Sequence, residues 1–397
     1  MSWSSHDAPD VQTQVADVDG SSRRRRCQGL RAVLLLGGLA FTQPAATAVK
    51  YSFATEAGLQ GLDNPFLLPG KDRGAVLTEI AVNPTLTVSD NSGGSSLDIG
   101  GTATGRAYSQ HYGQFLLGDA HVTGVVRRNE YLTLNASGSF QRSLSADALV
   151  VDVDAAADPA SVRSTVAALA SLAWTPTAGD TVTPQFNFEH SSYGGSAVLR
   201  GTSTTTGDLE YARRLSERTS IGAGARAAAN RSGAAQFDTL AVFATLDRRF
   251  SSRLRLTGEA GAQRNHDRSP GPHRNRLGFA GRGGLCLEER LLTACLNGAM
   301  TSEISALGFL QRRYSVGGSA TRRLGPGLSA GLAADYSRSN REQGIAAAAQ
   351  SAANVRGTID WQMASSLKLS GEAGYRQRNV GFDVGGGFVG VRLRWQK

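Results

Sequence analysis

From Val49 to Trp395 the chain repeats one pattern, with small or apolar residues at every second position and polar or charged residues between them. In residues 366–378, Leu367, Leu369, Gly371, Ala373 and Tyr375 share one face, while Lys368, Ser370, Glu372, Arg376 and Arg378 fall largely on the other. Successive side chains of a β-strand point to opposite faces, so each segment has one apolar and one wet surface. Sustained along the chain with no helical interlude, the pattern predicts an all-β, transmembrane antiparallel up-and-down β-barrel, with lipid outside and water inside.

Composition supports a wall rather than a packed core. Hydrophobic residues make up 40% of the 397, and there are 48 glycines, against a usual apolar share of ~45–50% and a glycine share near ~7%. A barrel with a polar lumen tolerates this, because half of each strand faces water. No run of about 18 apolar residues exists, so a helical span is excluded.

Turn signals cut the chain into hairpins. Short turns fall at 127–130, 176–180, 215–218, 251–253, 288–291, 324–327 and 364–366, and longer connections at 143–159, 230–235, 267–274, 302–307, 340–350 and 379–383. About eighteen strands lie between them, the eighth spanning 196–214, and sixteen would also fit. An even count puts both termini on the periplasmic side, with short turns there and longer loops outside. Tyr211, Tyr336, Trp361, Tyr375 and Trp395 sit near strand ends, where an aromatic girdle meets head groups. Trp395 is also positioned to be read by the outer-membrane insertion machinery, although Gln396 and Lys397 follow it.

Residues 1–48 read as an N-terminal extension and secretory signal peptide, with residues 49–397 as the barrel. Arg23 to Arg26 and Arg31 are the basic region, Ala32 to Phe41 the apolar stretch, and Ala46-Thr47-Ala48 the small-residue site, with cleavage expected after Ala48. Cys27 precedes the apolar stretch, which argues against a lipid-anchored cysteine. Processing takes five arginines and four aspartates from the 42 basic and 33 acidic residues, leaving 37 and 29, a net +8. The remaining arginines are spread singly over strands and turns, which describes rim and lumen charge beside lipid rather than a nucleic-acid surface. Cys286 and Cys295 come opposite each other if their strands pair about Arg290-Leu291, so a disulfide is expected, two packed thiols being the alternative.

Two catalytic-looking motifs lack their context. Gly327-Leu328-Ser329-Ala330-Gly331 satisfies G-x-S-x-G, which needs a strand-to-helix turn, yet Leu328, Ala330 and Leu332 continue a strand face. The G-x-G-x-x-G within Gly385 to Gly390 needs a following helix and runs instead into the last strand. The six histidines show no zinc spacing, and neither metal nor cofactor is implied. His190 and His266 lie near Ser191 and Asp267 without a serine that completes a hydrolase, so an enzyme is not expected.

Function therefore falls to inward charge. The lumen candidates are Arg226, Arg255, Glu259, Asp335, Arg356, Asp360, Lys368, Glu372, Arg376, Arg392 and Arg394. Opposed acidic and basic walls orient polar solutes, and rings of one sign select ions. The alternative is that they brace the wall by pairing across strands. Inward aromatics are few, Phe243 and Phe388 being the candidates, so an aromatic sugar slide is not supported.

Three segments carry a resemblance. They are Asp63-Asn64-Pro65-Phe66-Leu67-Leu68-Pro69-Gly70, Asn83-Pro84-Thr85-Leu86-Thr87-Val88, and the block from Arg127-Arg128-Asn129-Glu130-Tyr131 to Phe140. With them the chain resembles the outer-membrane β-barrels encoded with exopolysaccharide synthesis and export systems, including those of sphingomonads and myxobacteria. The resemblance implies a porin-like conduit for a secreted polysaccharide, partnered by a periplasmic polysaccharide export protein, and supplies no catalytic residue. A general or solute-specific uptake porin and a structural or adhesive barrel with a plugged lumen are the other readings. Whether 143–159 or 340–350 folds inward is open in the sequence, as is a helical turn at Ala346 to Ala349.

Overall fold

The computed structural model describes residues 47–70, 74–90, 94–150, 152–269, 275–341 and 349–397. They form one closed, antiparallel 18-stranded barrel, which decides between the two strand counts. The strands are β1 (Thr47–Leu62), β2 (Ala75–Asp90), β3 (Ser95–Tyr108), β4 (Gln114–Asn129), β5 (Leu132–Leu144), β6 (Val162–Trp174), β7 (Asp180–Gly194), β8 (Thr202–Ser216) and β9 (Thr219–Ser232). Around the second half run β10 (Ala235–Arg249), β11 (Leu254–Asp267), β12 (Asn275–Glu288), β13 (Leu292–Ile304), β14 (Leu310–Gly325), β15 (Leu328–Arg341), β16 (Gln350–Ala364), β17 (Leu367–Val380) and β18 (Asp383–Gln396). Each strand pairs with its chain neighbours, and β1 closes the ring on β18, from Ala54↔Gln396 to Leu62↔Phe388.

The alternation becomes the two sides of the wall. In β18 Val389, Val391, Leu393 and Trp395 are exposed on the outer side, while Arg392 and Arg394 meet Glu56 of β1 on the inner side. The end of the barrel that carries both termini has tight turns, four with a register shift at Arg127/Asn129, Arg214/Ser216, Arg323/Gly325 and Gln362/Ala364. Trp174, Trp361 and Trp395 stand exposed at this turn end. A closed barrel with an apolar outer belt pairs its strands around the whole ring and leaves no open sheet edge, and this one stands in the outer membrane of a Gram-negative bacterium.

The loop end departs from the sequence reading in three places. The eighth strand begins at Thr202 rather than residue 196. Ser196 Oγ accepts from the amides of Val198 and Leu199 at 3.3 and 3.0 Å, which turns the backbone ahead of the strand. Leu199 is then buried, and the Arg200 amide donates to Ala306 O at 2.8 Å. The connections expected over 230–235 and 379–383 are tight turns instead, with Gly233 at φ +59° and Ser232 paired to Ala235 in the first, and Gly381 at φ +84° and Asn379 paired to Asp383 in the second. Of the export segment expected over 1–48, residues 1–46 lie outside the described residues, and Thr47 and Ala48 lie in β1 opposite Asp90 and Ser89. The 340–350 connection falls largely on 342–348, also outside the described residues.

Candidate functional site

The segment between β5 and β6 does not stand out into solvent. Leu144, Ser145, Ala146, Leu149, Ala155 and Ala156 are buried, and two short 3-10 turns, Ser145–Asp147 and Val153–Ala157, fold it into a strap. Its contacts lie on strands far apart around the ring. Asp147 is 2.5 Å from Arg106 Nη1 on β3 and 3.7 Å from Arg376 Nη1 on β17. Asp152 accepts from the Tyr193 hydroxyl on β7 at 2.6 Å, and Val150 O from Arg313 Nη2 on β14 at 2.7 Å. Arg378 on β17 donates to Ala156 O and, at 2.8 Å, to Leu67 O. In a ring of eighteen strands β14 lies directly across from β5 and β17 a third of the way round, so the strap crosses the lumen.

Two connections brace it. Phe66 of the β1–β2 connection packs on Tyr108, Tyr112 and Phe115, and Leu67 on Leu149, Ala155 and Ala156. From the β13–β14 tip, Ser305 Oγ and the Ala306 amide donate to Asp154 at 2.8 and 2.7 Å. Burial, with Asp152 alongside, pushes the Asp154 carboxyl up to about 7, even though these two hydrogen bonds favour the ionised form.

The strap leaves a cavity on each side. One, of about 530 Å³, is walled by β1–β3, β5 and β15–β18 and holds Glu79, Arg106, Asp147, Arg356, Glu372 and Arg392. The other, of about 520 Å³, is walled by strands from β6 to β14 and holds Asp152, Asp154, Arg163, Glu189, Arg226 and Glu259. We call these the β1 cavity and the β10 cavity. Each carries an arginine over an inward phenylalanine, Arg376 over Phe388 at 5.4 Å and Arg226 over Phe243 at 5.1 Å. Both rings cover a glycine. A Cβ at Gly374 would come within 2.5 Å of Phe388 Cζ, and one at Gly224 within 2.5 Å of Phe243 Cζ.

The lumen candidates divide by height and by side. Asp335, Arg356, Glu372, Arg376 and Arg392 line the β1 cavity, and Arg226 and Glu259 the β10 cavity. Arg392 reaches Glu79 at 3.3 Å and Glu372 at 3.9 Å, and Gln60 Nε2 donates to Glu372 at 3.2 Å. Arg226 bridges Asp208 at 2.5 Å and Glu259 at 3.2 Å, and Glu259 meets Arg282 at 2.6 Å. Arg255, Asp360, Lys368 and Arg394 lie outside both linings, paired with Asp247, Lys368, Asp360 and Glu56 respectively. Cys286 and Cys295 stand in register and are joined, Sγ to Sγ, at 2.18 Å.

Sequence reasoning missed Glu56, Glu79, Arg106, Arg163 and Glu189. Their strand phase carries the same signal as the residues chosen, so they were findable. Asp147, Asp152 and Asp154 were not, because a loop carboxylate has no periodicity. Ser329 lies in β15 opposite Arg323 and Asp360, and the glycines of 385–390 lie in β18, so neither motif meets a helix.

No family model matches the chain, and no curated protein matches it. Among solved structures it is similar to OccK2 (OpdF) of Pseudomonas aeruginosa in complex with glucuronate, at 10% identity and TM-score 0.49, covering 88% of this chain and 97% of that one. OpdK of the same organism, with vanillate, gives 10% identity and TM-score 0.48 over 88% and 98% of the two chains. Acinetobacter baumannii OccAB3 gives 8% identity and TM-score 0.46 over 88% and 99%.

Proposed function

We propose that the protein is an outer-membrane channel for small polar and charged solutes, with the strap as its constriction. The observation that carries this reading is the division of the lumen into two charged cavities. Volumes near 500 Å³ fall in the range of about 300–1,000 Å³ that accommodates single small ligands. Opposed charges across such a space orient a solute as it passes. The solute-facing residues we assign are Arg356, Glu372, Arg376 and Arg392 on one side, and Arg226 and Glu259 on the other. Lipid and the barrel-insertion machinery are the partners assigned to the wall and to Trp395.

Polysaccharide export with a periplasmic partner, implied by the resemblance, has no support in the fold or in the comparisons. An extended hydrated glycan needs a continuous bore, and a strap tied to both walls favours small cargo. A plugged barrel is the second reading, favoured by the strap's many anchors. Planar-bilayer recording and liposome swelling distinguish these readings. A channel for small solutes gives discrete KCl conductance and swelling with amino acids and monosaccharides that falls off for oligosaccharides. Zero conductance supports the plug. Uniform swelling up to large polymers, or loss of surface polymer in a deletion strain, returns the export reading.

A further inference from the structure

Lumen charges are almost everywhere paired. Glu259 stands directly opposite Arg282, and Asp208 opposite Arg226, and each pair is joined across its two strands. Of the charged residues lining the two cavities, Asp335 and Arg356 alone, among the described residues, have side chains with no ion pair or hydrogen bond. Their neighbours in the wall explain this. Asp335 of β15 lies between Gly317 and Asn354, and Arg356 of β16 between Ala333 and Gly374, so neither has a charge beside it across the strands. Both line the β1 cavity. They are diagonal neighbours on one face, about 7–8 Å apart along the backbone. Such a diagonal can close, as Asp247 and Arg255 show on β10 and β11. Here it stays open.

The open carboxylate has a second acceptor beside it. Oδ1 of Asp335 and Oδ1 of Asn297 on β13 converge over Gly317, which lies between them in register. A Cβ on that glycine would collide with the first oxygen and come within 3.0 Å of the second. The Asn297 carboxamide has no side-chain partner among the described residues either. Two oxygens aimed at one point suit an ammonium group, which offers three donors and no acceptor. At the other end of the diagonal, the Arg356 guanidinium offers a carboxylate two parallel hydrogen bonds. Charge-assisted bonds of about 2.8 Å at each end, plus the short span between the two charges of an α-amino acid, roughly fill the diagonal. A solute with a single charge satisfies one end and leaves the other to be desolvated without a partner.

We propose that Asp335, Asn297 and Arg356 form a binding site for zwitterionic α-amino acids on the wall of the β1 cavity. The proposal rests on the solute-channel reading, because it names the solute class that this cavity takes. The test measures binding and passage separately, on the intact protein. Saturation-transfer NMR in detergent micelles compares alanine with propionate, which lacks the ammonium, and with ethylammonium, which lacks the carboxylate. Proteoliposome uptake follows labelled alanine and arabinose. The parent is expected to bind alanine about tenfold more tightly than either analogue. Asp335→Asn is expected to bring alanine down to the level of propionate, and Arg356→Gln to that of ethylammonium. Gly317→Ala keeps both charges but fills the point where the two oxygens converge, and is expected to weaken alanine by about tenfold and propionate hardly at all. A parent that binds alanine no better than propionate overturns the site, as does an Asp335→Asn variant that keeps the full preference. Alanine binding without uptake of alanine or arabinose defeats the channel reading alone and leaves the site standing. Arabinose uptake with no preference for alanine defeats the site alone.

Discussion

The two cavities are alike in size, and each has an arginine lying on a phenylalanine, yet the strap shows them different faces. Toward the β1 cavity it offers one carboxylate, Asp147, held between Arg106 and Arg376. Toward the β10 cavity it offers Asp152 and Asp154, beside Glu189 and Glu303 and within reach of Arg163. The barrel wall supplies both signs on both sides, so the asymmetry comes from a loop of about one turn's length on each side of Val150. The lesson is that the wall makes the lumen polar, and the strap decides which charge a solute meets first. The β1 cavity is expected to favour anions and the β10 cavity cations.

The largest effect should come from removing the strap. Replacing residues 146–160 with a short Gly-Ser turn merges the cavities, and single-channel conductance should rise by about threefold or more. A smaller but more specific contrast comes from charge. Arg106→Gln with Arg376→Gln should move the reversal potential in a KCl gradient toward cation selectivity. Asp152→Asn with Glu189→Gln should move it toward anion selectivity. Shifts of the same sign would break the comparison.

The Asp154 clamp gives a pH dependence. Burial, with Asp152 alongside, pushes its carboxyl up to about 7 in the folded protein, above the unfolded value of about 3.9. The protonated form is therefore favoured by the fold, and its stabilisation is present at acid pH and lost as pH rises through about 7. Current noise from strap motion should grow between pH 6 and pH 8. In Asp154→Asn, which cannot ionise, it should be flat. The smallest effect is local. Gly374→Val should lift the Phe388 ring off its floor and narrow the β1 cavity alone, while Gly224→Val should do the same for Phe243 and the β10 cavity. Each should lower conductance by less than about half.

The wall was legible in the sequence because period two is a local property. Residues 355–363 alternate whether or not the rest of the barrel is known, and the turns at 324–327 and 364–366 announce themselves. Where the pattern misled, a side chain overrode it. Ser196 to Arg200 run on toward the eighth strand with no proline or glycine among them, but the Ser196 hydroxyl bends the backbone and Ala306 holds Arg200. The register of Cys286 and Cys295 was legible for the same local reason. The strap was not. Ser143 to Pro159 reads as a polar alanine-rich loop, and what folds it inward is a set of partners on β3, β7, β14 and β17, each more than thirty residues away.

The division of the lumen can be measured by blocking one side at a time. Asn354→Cys places a thiol in the β1 cavity and Ala228→Cys one in the β10 cavity. Each is modified with a bulky thiosulfonate during single-channel recording. Two parallel paths lose about half the current to either block and nearly all of it to both together. A block at one site that abolishes the current, or a double block no deeper than a single one, would mean one bore and contradict the divided lumen.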